Sequence, residues 1–135
     1  MGNMAFDAEV DGHIIHFDAE EKYGGTDSGP RPKLLVLSAL AACTGMDVVS
    51  ILKKKQLIFT RFRILIEGDV RDEHPRYYKT IRLIYELSGP GFRDNPEVFA
   101  KLDRAVRLSR DNYCAVSAML KNSCEITDEI VLLDL

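Results

Sequence analysis

The 135-residue chain has no tryptophan, and its cysteines number only three, Cys43, Cys114 and Cys124, with no CxxC pair among them. Thiols so few and so spaced make neither a disulfide framework nor a zinc-ligand pattern, so each starts as a small buried hydrophobe. An excess of one charge is missing too. Eighteen Lys and Arg stand against 21 Asp and Glu, a formal charge of -3 with the signs mixed along the chain. This leaves no electrostatic footprint for nucleic acid or an anionic membrane surface, and points to small molecules or proteins as partners.

Other absences narrow the chemistry. "MGNMAFDAEVDGH" lacks the basic start and apolar run of a secretory signal, so the chain reads as cytoplasmic. "GGTDSGPRPK" has neither Walker spacing nor a dinucleotide fingerprint, and reads as a mobile flap. His13, His16 and His74 lie on a strand and a loop without a metal-binding motif, and nothing sets a histidine beside Cys43 for a Cys/His hydrolase. No metal and no cofactor are expected. The one long apolar run, residues 34–46, is shorter than the roughly 20 residues of a membrane span and marks a buried core helix.

What is present describes one α+β domain. Residues 5–17 read as a hairpin turning at Asp11-Gly12, and a helix follows over about residues 33–55 with Pro32 at its start and lysines at its end. Two alternating strands come next, with Phe62, Ile64 and Ile66 on one face of the first and Ile81, Leu83, Tyr85 and Leu87 on one face of the second. Asn95-Pro96 opens a second helix with the stripe Val98, Phe99, Leu102, Val106 and Ser109. A short third helix, capped by Asp111 or Asn112, would hold Cys114 in its first turn, where the helix dipole lowers a thiol's pKa. A last strand carries Ile126, Ile130 and Leu132 in phase. So small a sheet covers one side of a helix that is apolar all round, and a homodimer would bury the other side.

Two motifs carry the chemistry. "GPRPKLLVLSALAACTGMDVVSILKKK" and "RAVRLSRDNYCAVSAMLKNSCEI" resemble the OsmC/Ohr family of osmotically inducible and organic hydroperoxide resistance proteins, in its OsmC-like branch with "C-x-x-x-D-V-V-S-I-L" and "Y-C-x-V-x-x-M-L". "DEHPRYYKTIRLIYELSG" extends the likeness through the middle of the chain. The resemblance implies an OsmC-like fold, a mostly antiparallel sheet around a long buried central helix in an intertwined homodimer with active sites at the interface. It implies that Cys43 is the peroxidatic cysteine, that Cys114 resolves its sulfenic acid to a disulfide, and that an external dithiol reduces the pair. Cys124 matches neither position.

The chain departs from the family pattern in one place. The family's peroxidases activate the thiol with an arginine held by a glutamate near the start of the central helix, where this chain has Pro32-Lys33-Leu34. Arg31 is the nearest candidate for the cationic role, and Lys33 could serve as a point charge without the guanidinium fork. Asp47, one turn after Cys43, opposes thiolate formation if ionised and close, and has backbone groups or a partner residue across a dimer as alternatives. Leu40, Met46 and Met119 would line an apolar pocket suited to an organic hydroperoxide. Two other functions stay open: a non-enzymatic module binding an apolar ligand, and a thiol redox sensor.

Overall fold

The computed structural model describes residues 4–135, so the first three residues of the stretch read for a leader lie outside the described residues. The chain forms two compact units, Met1–Ser38 and Ala39–Leu135. In the first, β1 (Phe6–Val10) and β2 (His13–Phe17) pair antiparallel with Val10 opposite His13. Asp11 and Gly12 between them both have positive φ, 50° and 81°, the backbone that a two-residue hairpin turn matched to strand twist requires.

The segment after β2 is organised by Asp18, which is 2% exposed. Its carboxylate accepts hydrogen bonds from the amides of Ala19, Thr26 and Ser28 and from the hydroxyls of Thr26 and Ser28. The Ser28 amide and hydroxyl lead the donors that hold its pKa well below the usual carboxylate range. The stretch read as a mobile flap is therefore a loop tied around a buried anion. Gly25 and Gly29 allow the close approach, since a Cβ there would lie 2.1 Å from the Ala19 carbonyl oxygen and 2.6 Å from that of His16.

Helix α1 (Pro32–Lys54) begins on Pro32, whose missing N–H costs nothing in a first turn, and ends on Lys53 and Lys54. Only Leu37, Leu40, Thr44, Val48 and Leu52 are buried along it, a stripe at steps of three and four residues. The helix expected to be buried all round is thus covered by its own chain on one side, and Met46 is 74% exposed. Its bounds agree with the helix expected over about residues 33–55. By length and composition α1 could cross a membrane, a test that core helices of soluble proteins pass as well.

In the second unit β3 (Arg61–Val70), β4 (Tyr78–Ser88) and β5 (Glu125–Leu133) form a sheet in that order. The β3–β4 pairing is antiparallel and the β4–β5 pairing parallel, so the sheet is mixed. Register lines up Phe62, Leu87 and Leu132 across the strands, then Ile64, Tyr85 and Ile130, and then Ile66, Leu83 and Asp128. Ile81, Leu83, Tyr85 and Leu87 are each at most 1% exposed, which makes β4 the centre of the core. Phe62 stacks parallel to Tyr85 at 6.4 Å between ring centroids.

Helix α2 (Pro96–Leu108) starts where Asn95 Oδ1 accepts from the amides of Glu97 and Val98, at 3.0 and 3.2 Å. Its buried residues are Val98, Leu102, Ala105 and Val106, and Ala105 takes the place expected for Phe99, which is 46% exposed. The next turn, Ser109–Tyr113, is π-helical, and it hands over to the short helix α3 (Ala115–Leu120).

Candidate active site

Three elements of the second unit converge. Residues four apart on a helix share a face, so α1 presents Cys43 and Asp47 together. The start of α3 supplies Cys114. The two Sγ atoms and an Asp47 carboxylate oxygen all lie within 4.8 Å of one another. Both thiols are free, with Cys43 and Asp47 half-buried and Cys114 2% exposed. From the end of α2, the Ser109 hydroxyl donates to Asp47 Oδ2 at 2.9 Å. Asp47 therefore has a side-chain partner within its own chain.

Cys114 does not lie inside the first turn of a helix capped by Asp111 or Asn112. It is itself the N-cap of α3, its Sγ accepting from the Ser117 amide at 3.3 Å. The expected acidic thiol is overturned as well: burial, and next the neighbouring Cys43, push Cys114 up to about 11 from an ordinary 9.0. The Ser117 and Val116 amides do not offset the loss of solvent around the anion. Cys114 is therefore built to remain a thiol at neutral pH.

Behind the pair, Tyr85 is 1% exposed, and burial raises its phenol pKa while the Thr44 hydroxyl opposes the shift. Asp128 stands on the inward face of β5 in phase with Ile126 and Ile130, and there it pairs with Arg110 of the π-helical turn. Burial raises the Asp128 pKa, against the pull of Arg110 and of the Tyr85 hydroxyl. Sequence reading missed Ser109, Arg110 and Asp128 as site residues. Strict period-two counting along β5 would have put Asp128 between the two isoleucines on the apolar face.

The other candidates have surroundings of their own. Arg31, in the first unit, donates to Asp27 at 2.6 Å and to the Gly29 carbonyl at 3.1 Å, and Lys33 is exposed in the first turn of α1. Leu40 is fully buried core, while Met119 is 68% exposed on α3. Met46 lines an open groove of about 680 Å³ between α1 and β3, together with Ala42, Gly45, Val49, Phe62 and Ile64. Gly45 sets the approach of helix to strand, since a Cβ there would stand 3.0 Å from Ile64 Cδ1. Cys124 donates weakly to the Leu120 carbonyl and is not part of the thiol–carboxylate cluster.

Residues 25–129 match the family model described as OsmC-like protein. The chain belongs to this family. Protein YhfA of Escherichia coli K12 is 34% identical over 116 residues, which cover 86% of this chain and 80% of that protein. The OsmC-like protein of Mycoplasma pneumoniae superposes with a TM-score of 0.76 at 19% identity, covering 96% of this chain and 89% of its own. An organic hydroperoxide resistance protein OsmC from Legionella pneumophila gives 0.61 at 13% identity, with 96% of each chain covered. At such identities these two structures speak for the OsmC/Ohr fold, which this OsmC-like chain shares.

Proposed function

We propose that this protein is a thiol-dependent peroxidase that reduces organic hydroperoxides. The observation that carries the reading is the meeting of Cys43 and Cys114, 71 positions apart in sequence, with their sulfurs inside one 4.8 Å cluster. Cys43 gives up its proton and attacks the distal peroxide oxygen, the O–O bond breaks, and the alkoxide takes up that proton and leaves as an alcohol. Sulfur has given up two electrons and carries the hydroxyl as a sulfenic acid. Cys114 then forms the S–S bond to Cys43, its proton leaves with that hydroxyl as water, and an external dithiol returns both sulfurs to thiols. The difference between the thiols supports this order, because a buried Cys114 is a poor first nucleophile and a suitable second one.

The exposed side of α1 supports a homodimer. A run of Ala42, Gly45, Met46 and Val49 beside a groove is what a second copy of the chain would cover. The groove could then take the alkyl part of a hydroperoxide.

The deciding experiment exposes reduced protein briefly to stoichiometric cumene hydroperoxide, beside a matched hydrogen peroxide sample, and maps the thiols by peptide mass spectrometry. A Cys43–Cys114 disulfide that forms faster with the organic peroxide is the expected result, with Cys43→Ser abolishing it. Free thiols in both samples would overturn the peroxidase and favour a module that binds an apolar ligand in the groove.

A further inference from the structure

Cys43, Asp47 and Cys114 also have the composition of a metal site. We propose that in the reduced protein these three side chains bind one soft divalent cation, Zn2+, with a fourth coordination position left open. The inference goes beyond the peroxidase reading and does not rest on it. Tetrahedral zinc has Zn–S near 2.3 Å and Zn–O near 2.0–2.2 Å, which places ligand atoms roughly 3.4–3.8 Å from one another. The three donor atoms already lie within 4.8 Å, so side-chain adjustments of about 1 Å close the site.

Electrostatics and hydrogen bonding agree with a cation. The third member of the cluster is a carboxylate, which disfavours two bare thiolates and favours a positive ion between them. Ser109 donates to Asp47 Oδ2, the kind of outer partner that orients a metal ligand. The Ser117 amide donates to the Cys114 sulfur, an interaction that strengthens as the sulfur becomes a thiolate. The Ser117 hydroxyl, 1% exposed, is the single buried side-chain oxygen or nitrogen among the described residues without a hydrogen-bond partner. A buried hydroxyl three residues from Cys114 thus has hydrogen-bonding capacity to spare.

Binding releases two thiol protons per ion and changes no oxidation state. It uses the sulfur lone pairs that a disulfide would remove, so oxidation and metal binding exclude each other. A sequence search for zinc spacing cannot find this site, because two ligands come from one helix and the third from an element 71 residues away.

The test is a Zn2+ titration of the reduced full-length chain against a chromophoric chelator, repeated with Co2+ to read the thiolate-to-cobalt charge-transfer band. Expected are one ion and two protons per chain, with affinity lost by more than 100-fold in Cys43→Ser and by 10- to 100-fold in Asp47→Asn. Cys124→Ser should bind like the parent, and protein carrying the Cys43–Cys114 disulfide should not bind. Absence of stoichiometric binding, or affinity unchanged in both Cys43→Ser and Asp47→Asn, overturns the proposal. Peroxide consumption is measured separately, so an inactive protein that binds zinc would retire only the peroxidase.

Discussion

The burial of Cys114 makes a quantitative prediction. With its pKa pushed to about 11 from an ordinary 9.0, the fraction ionised at pH 7 is about one part in 10,000, where an ordinary thiol would show about one in 100. Alkylation of Cys114 by pulses of iodoacetamide, followed on its own peptide, should rise about tenfold per pH unit from 7 to beyond 9. The urea-unfolded chain should level off near pH 9. Burial also slows access, but that factor is independent of pH, so the position of the bend is diagnostic and the absolute rate is not. Stability must follow. The folded state holds the Cys114 proton more tightly than the unfolded state, so this contribution is complete well below pH 9 and falls by about 2 kcal/mol as pH rises to 11. Urea melts of the parent against Cys114→Ser isolate it from other groups that ionise in that range. A bend at pH 8 or below in the folded protein would refute the argument, and would reverse the proposed roles by making Cys114 the better first nucleophile.

Other perturbations test the rest of the structure. Asp18→Asn places an amide donor among five donors, and should increase proteolysis between Gly24 and Pro30 at neutral pH. Because the folded Asp18 pKa is depressed, the parent should lose the same protection as pH falls below about 4, and the variant should not. Gly89→Ala would bring a Cβ to 2.5 Å from the ring of buried Phe92, costing about 1–3 kcal/mol in denaturant melts. Arg110→Ala leaves the Asp128 carboxylate, whose side chain is 11% exposed, without its cation; as Arg110 itself is a third exposed, about 2 kcal/mol should be lost. Ala42→Glu puts a charge on the proposed dimer face, and light scattering should then find monomers where the parent is dimeric.

Much of the fold was legible because it rests on local rules. The apolar faces of β3 and β4 followed from alternation, the start of α2 from Asn95-Pro96, and the hairpin from Asp11-Gly12. Leu65, which breaks the alternation of β3, simply faces outward at 36% exposure. The failures have a common cause in long-range pairing. Nothing near Asp18 announces that Thr26 and Ser28 will fold back onto it, and nothing near Ser109 announces Asp47, 62 residues earlier. The tilt of Cys114 toward an acidic thiol came from counting helix position without knowing burial, and burial is the larger effect.

The π-helical turn explains how the site is assembled. In an α-helix, two residues five apart are separated by about 500° of rotation, which leaves them roughly 140° apart on the surface. Ser109 and Cys114 are five apart, yet Ser109 bonds Asp47 and Cys114 stands within 4.8 Å of the same carboxylate. The Cys114 amide donates to the Ser109 carbonyl at 2.7 Å, a bond across five residues that widens the turn and returns Cys114 to the side that Ser109 occupies. Cys114 then takes extended backbone, φ -76° and ψ 107°, and this breaks the helix and frees its sulfur to cap α3. Two partners one α-helical turn apart on α1 are thereby met by two residues from a wider turn. An unbroken α-helix from Pro96 onward could satisfy Asp47 or approach Cys43, but it could not do both.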